Sequence, residues 1–279
     1  MKILFDEVST GCSKLVTKKY SSSFSLAVRL LSPSIRKSIY NIYAFVRFAD
    51  EIVDSMHGYN KEELLTAFEQ DYYQAYDQNI SLNPILNSFQ LTVKKYNIDD
   101  ALIQSFLFSM KQDLTKRKYE TVEEYNNYIY GSADVVGLMC LKVFVNGNEE
   151  QYQSLKHAAM KLGSAFQKIN FLRDIKEDSE ILGRSYFPEI NLTDHTDAAK
   201  NNIISNIQDD LKIAYTGIRK LPVESRLGVY TSYVYYTRLL NKLKRMSFDK
   251  IINQRVRISN PVKLSLLACS FVTYKLRLI

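Results

Sequence analysis

The 279-residue sequence has no tryptophan, five prolines, nine glycines and three cysteines. So few prolines and glycines cannot supply the turns of a many-stranded β protein, which needs one about every 8–12 residues. A mostly helical chain is the consequence. Cys12, Cys140 and Cys269 are odd in number and far apart, with no C-x-x-C spacing. This excludes a disulfide framework and points to reduced thiols in a reducing compartment. His57, His157 and His195 stand alone, without H-x-x-x-H or H-E-x-x-H, so no zinc site is expected. There is no G-x-S-x-G, no P-loop and no G-x-G-x-x-G. The opening residues MKILFDEVSTGCSK lack the apolar run of a secretory signal. No stretch reaches the roughly 18 apolar residues of a membrane span. The nearest, 135–145 and 264–274, read as buried helices, and the protein is expected in the cytoplasm.

What is present fits a soluble globular chain. Hydrophobic residues make up 46% and charged residues 24%. The net charge of +7 has two readings: scattered solvated lysines, or a polyanionic or membrane-surface partner. A peripheral membrane contact is carried as an expectation. Nucleic acid is not, because the basic stretch 242–257 reads as a solvated helix face. Without repeats or a Gly/Ser/Pro-rich linker, a single domain is expected. Helical periodicity runs through 33–56, 61–78, 100–114, 122–145, 149–181, 197–220, 223–253 and 261–278, with the longest loop at 183–197. Ser32-Pro33, Thr121 and Asn260-Pro261 are start signals. Helix following helix makes the fold class all-α.

Two of these helices carry acids where an apolar face should be. In 38–56 the stripe Ile39, Ile42, Tyr43, Val46, Ala49, Val53 continues into Asp50 and Asp54. At 100° per residue Tyr43, Arg47, Asp50 and Asp54 fall within a wedge of roughly 60°. In 162–181, Gly163, Gln167, Asn170, Asp174 and Asp178 share a wedge of about 80°. Carboxylates four apart on a helix repel, and burying them is costly unless a positive charge lies between. One such pair is commonly a solvated face; two pairs on two long helices, beside amides and arginine, point to a ligand. Oxygen-only donors suit a hard ion such as Mg²⁺, with Mn²⁺ as the alternative, and Mg²⁺ completes its shell with water and phosphate oxygens. A diphosphate held between two helices, and its ionisation from an isoprenoid, is the chemistry this suggests.

These residues also carry a family resemblance. Ser21-Ser22-Ser23-Phe24-Ser25 resembles the S-x-S-F-S motif of the squalene/phytoene synthase family. YNIYAFVRFADEIVD (40–54) resembles its first aspartate-rich helix, and QKINFLRDIKEDSEILGRSYFP (167–188) its second with the G-R-x-Y-x-P sequel. Asp113 and 119–137 resemble the middle segment. The resemblance runs from about residue 20 to 257. Ser132-Ala133-Asp134-Val135-Val136-Gly137 departs from the family's V-A-G-x-V-G by placing an acid near the expected cavity, and Tyr20 and Ser22 stand where relatives often have His and Lys.

The resemblance implies an all-α isoprenoid-synthase bundle around a central cavity. It also implies prenyl diphosphate substrates joined head to head. Asp50, Asp54, Asn170, Asp174 and Asp178 would hold the metal–diphosphate cluster. Arg47, Arg173 and Arg184 would neutralise phosphate. Ser21, Ser23, Phe24, Tyr43, Gln167, Tyr236 and Arg255 would contact substrate. Glu51 and Glu177 would face solvent or lie behind the acids. Tyr128, or Tyr130 beside it, would handle a proton near the leaving group. Two geranylgeranyl diphosphates giving phytoene, without NADPH, is the favoured reaction. A farnesyl diphosphate enzyme making squalene or dehydrosqualene is the runner-up. A terpene cyclase or chain-elongating prenyltransferase, or a non-catalytic prenyl-lipid binder, are the other readings.

Overall fold

The computed structural model describes residues 2–188, 197–276 and 279. Among them the regular elements are helices: α1 Lys2–Tyr20, α2 Ser22–Val28, α3 Pro33–Asp54, α4 Lys61–Gln78, α5 Pro84–Tyr96, α6 Asp100–Thr115, α7 Val122–Ile129, α8 Val135–Phe144, α9 Glu149–Glu180, α10 Asp197–Ile218, α11 Val223–Lys244, α12 Phe248–Asn253 and α13 Asn260–Lys275. One isolated bridge joins Lys118 to Ser185. The all-α architecture is as expected.

Local chemistry sets many boundaries. Asn60, Asn83, Asp99, Thr121 and Asn148 each accept a first-turn backbone N–H through a side-chain oxygen, closing the N-termini of α4, α5, α6, α7 and α9. Asn79 and Asn97 end α4 and α5 in the left-handed conformation that asparagine tolerates.

Three expected spans are corrected. The stretch 122–145 is two α-helices split by a π-helical turn, Tyr130–Asp134. The stretch 223–253 breaks after Lys244 into α11 and α12. The 264–274 run is not buried: α13 turns Leu264, Phe271 and Val272 outward. Within the expected 183–197 loop, Ser185 pairs backbone to backbone with Arg117 and Tyr119, while 189–196, including His195, lies outside the described residues.

Helices α1, α2 and α5 were not legible. α1 buries Ser9, Ser13 and Thr17 and exposes Ile3, Leu4, Val8 and Leu15, the reverse of an apolar stripe. It seats on α5 through hydrogen bonds: Ser13 Oγ to Ser88 Oγ at 2.7 Å, and Asn87 Nδ2 to Ser9 Oγ at 3.1 Å. Asn41 of α3 donates to Thr92 of α5 at 3.0 Å.

Two apolar cores flank the 32-residue α9. One gathers α3, α4, α5, α6 and α8 around Phe45, whose ring stacks on Phe89 with centroids 3.8 Å apart. The other gathers α7, α9, α10, α11 and α12 around Leu172, Leu239, Phe248 and Ile251. α8 packs against α3, α6 and α9 and has no exposed residue, yet Val136, Gly137, Cys140 and Phe144 keep partial access. A helix walled in on those sides can only open onto interior space. Val46 on α3, Met160 and Leu162 on α9 and Tyr233 on α11 are half-buried in the same way. α9 approaches closely because Gly163 has no side chain: a Cβ there would lie 2.8 Å from the Ala133 carbonyl oxygen of the π turn.

Candidate active site

The acid row of α3 is half-buried between fully buried neighbours Ile39, Ile42, Ala49 and Val53. Arg47 donates to Asp50 at 2.8 Å and also pairs with Glu51, and its guanidinium lies 4.6 Å over the Tyr20 ring. Glu51 therefore supports Arg47 from behind. Loss of hydration, then the charge of Asp54, pushes the Asp50 carboxyl up to about 6 against the pull of Arg47 and Arg184. α2 crosses the end of this row. Ser21 caps it by accepting from the Phe24 N–H at 3.3 Å, Ser23 sits half-buried in its first turn, and Phe24 stacks on Tyr43 at 4.7 Å. Burial holds the Tyr43 hydroxyl near 12, so it stays protonated.

The row on α9 presents Gln167, Asn170, Asp174 and Asp178, all half-buried. Asn170 accepts from the Tyr236 hydroxyl at 3.3 Å, and Tyr236 stacks on Phe166 at 3.9 Å. Asp174 is held by Arg173 at 2.9 Å and by Arg255 at 3.0 Å, and Arg255 reaches on to Glu177 at 2.6 Å. Asp178 has no cation in ion-pair range among the described residues. Burial, then Asp174 and Asp54, drive its carboxyl up to about 8. The influence of Asp54 on Asp178 brings the two rows together.

Arg184 ties α3 to the middle of the chain. Almost fully buried, it donates to Asp54 at 2.7 Å and to the Asp113 carbonyl at 2.9 Å, and its Nε lies 3.9 Å from the Asp113 carboxylate. Asp113 accepts from the Tyr128 hydroxyl at 2.8 Å. Burial raises the Asp113 carboxyl to about 7 and raises the Tyr128 phenol as well. The rings of Tyr119 and Tyr186 cover Tyr128 at 4.6 and 5.4 Å. Of the two tyrosines left open by the sequence, Tyr128 joins this network, whereas Tyr130 is 38% exposed. Asp113 is the residue the site assignment missed. It stands in a quoted motif, but only the fold shows it holding both Arg184 and Tyr128. Tyr186 was missed likewise, although the G-R-x-Y-x-P stretch contains it.

Asp134 does not enter the acid rows. It is buried, accepts from Ser164 at 2.7 Å, and turns toward a network in which Asp210 binds Lys168 at 2.7 Å and Lys161 at 2.9 Å. Burial lifts its carboxyl to about 7.

The donor set suits a hard divalent ion. Its oxygens are carboxylate and amide, Asp178 lacks a counter-charge, and Asp50 and Asp178 are both raised by acid neighbours. Among the described residues no three acidic, histidine or cysteine side chains close on one point, so the acids form two facing rows, not a finished cage.

A family model described as squalene/phytoene synthase matches residues 17–261. The chain is 27% identical over 268 residues to the phytoene synthase of Arthrospira platensis, covering 87% of this chain and 86% of that one. It is 26% identical to the chloroplastic phytoene synthase 1 of Solanum lycopersicum, covering 96% and 68%. In structure it is similar to a dehydrosqualene synthase crystallised with a ligand, with a TM-score of 0.85 and 21% identity over 97% of this chain and 98% of the other. A squalene synthase of Alicyclobacillus acidocaldarius superposes with a TM-score of 0.77, at 20% identity over 87% and 95%. At these identities the structural likeness speaks for the fold.

Proposed function

This chain belongs to the squalene/phytoene synthase family, and on that footing we propose that it condenses two geranylgeranyl diphosphates head to head. The product is phytoene, formed through prephytoene diphosphate, in carotenoid biosynthesis. The observation that carries the reading is the match along almost the whole chain to relatives named phytoene synthase. The two acid rows beside an interior apolar space support it.

Asp50 and Asp54 from one side, and Asn170, Asp174 and Asp178 from the other, would hold Mg²⁺. When bound, the ion neutralises a diphosphate and makes it a better leaving group. The chain's own cations continue that task. Arg47 and Arg184 stand at the α3 row, and Arg173 and Arg255 at the α9 row. Their charges are already aimed by carboxylates, so little reorganisation is needed as negative charge develops. Tyr43 and Phe24 at one end, and Phe166 and Tyr236 beside Asn170, present ring faces to the space where an allylic cation forms. Val136, Cys140, Phe144 and Val46 exclude water that would quench it. Tyr128, linked through Asp113 to Arg184, is placed to steady proton positions behind the leaving group. Nothing in this chemistry to phytoene calls for NADPH.

The test is product identity. Purified protein with Mg²⁺ and geranylgeranyl diphosphate, without reductant, should release a forty-carbon triene identified by mass spectrometry, and EDTA should abolish it. A thirty-carbon hydrocarbon made from farnesyl diphosphate in its place would overturn the substrate assignment.

A further inference from the structure

Helix α13 is built inside out. Of its residues only Ser270 is fully buried, whereas Leu264 is 59%, Phe271 44% and Val272 55% exposed, as is the adjoining Leu276 at 64%. These four, with Ala268 and Lys275, occupy an arc of about 140°. The opposite arc, with Val262, Ser270 and Thr273, faces the protein. A continuous apolar arc turned to water, with a serine turned to the core, calls for a partner on the outside.

Charge identifies that partner. Residues 250–279 contain Lys250, Arg255, Arg257, Lys263, Lys275 and Arg277, and no Asp or Glu. Lys275 lies over the Phe271 ring at 5.6 Å, on the apolar arc itself. Lys275 and Arg226 of α11 flank a groove that also includes Val223 and Tyr274. A second copy meeting this face about a two-fold axis would set these cations against their own equivalents, with no acid on the face to answer them. The complementary surface is apolar beneath and anionic on top, which describes a bilayer with acidic headgroups.

We propose that α13 lies on anionic lipid bilayers, with Leu264, Phe271, Val272 and Leu276 entering the acyl boundary and Lys275 among the headgroups. It docks without spanning, since no described helix is long and apolar enough to cross. The assignment rests on surface chemistry and stands apart from the catalytic reading. Its geometry has a consequence for any apolar product: α13 packs on α11, whose Tyr233 borders the interior space.

The experiment is co-sedimentation of the full chain with vesicles of phosphatidylcholine alone or mixed with phosphatidylglycerol. Partitioning should be about tenfold stronger onto the anionic vesicles and weaken with salt. Leu264→Ser, Phe271→Ser and Val272→Ser together should lower it by about tenfold or more. Lys275→Glu should remove most of the preference for phosphatidylglycerol while the apolar arc stays intact. Circular dichroism and melting should match the parent for both variants. Equal partitioning of the parent and the triple-serine variant would overturn the proposal. So would a parent dimer, seen by light scattering, that the triple-serine variant abolishes, because a second copy would then cover the arc.

Discussion

Tyr128 and Asp113 show how a single hydrogen bond can matter both to folding and to the site. The 2.8 Å bond is buried, and it is the one side-chain donor the Asp113 carboxylate receives at hydrogen-bond distance. Tyr128→Phe leaves that oxygen unsatisfied, at a cost of about 1–3 kcal/mol in urea unfolding. It also frees Arg184 to shift toward Asp113, so turnover should fall by about 10²-fold, with a smaller change in KM. Asp178 behaves in the opposite sense. Its charge is opposed by Asp174 and Asp54 and answered by no ion pair. Asp178→Asn should raise the melting temperature of the metal-free protein at pH 8, shrink the stabilisation that added Mg²⁺ confers in thermal scans, and abolish most turnover. A variant that melts lower than the parent at that pH would contradict this account.

At the scale of elements, the site depends on how closely α9 meets the π turn. π-helical turns insert a residue into an α-helix and often sit beside functional sites. Here the turn points Asp134 at Ser164 and brings the Ala133 carbonyl against Gly163. Gly163→Ala places a methyl 2.8 Å from that oxygen, and backbone cannot yield as a flexible side chain would. The expected loss is about 1–3 kcal/mol in equilibrium unfolding. Activity should drop beyond what the unfolded fraction explains, because α9 carries Asn170, Asp174 and Asp178. Gly11→Ala, on the open face of α1, is the control: it meets nothing within 4 Å and should be neutral or slightly stabilising.

For the whole molecule, four buried acids set a common pH response. The folded-state values of Asp50, Asp113, Asp134 and Asp178 are raised to about 6, 7, 7 and 8. Each is about 3.9 in the unfolded chain. Between these limits the native state holds more protons, so stability is full below about pH 4 for these groups and is lost as pH rises toward 8. Melting of the metal-free protein should therefore fall from pH 5 to pH 8. Asp134→Asn, which keeps an acceptor for Ser164, should flatten that slope without touching the acid rows. A slope unchanged in this variant would show that Asp134 is ionised throughout.

Helical class, the two acid rows and most of their cationic neighbours were determined by the sequence alone. A helix repeats every 3.6 residues, so Asp50 with Asp54 and Asp174 with Asp178 share faces whatever they pack against. The chain could not disclose what depends on contacts between distant segments. α1 was hidden because hydrogen bonds, not apolar burial, seat it on α5. The outward face of α13 was mistaken for core because an apolar run looks the same whether protein or something else covers it. The link from Asp54 through Arg184 to Asp113 and Tyr128 joins residues up to 130 positions apart. Burial gives those bonds their strength, and only the tertiary structure decides burial.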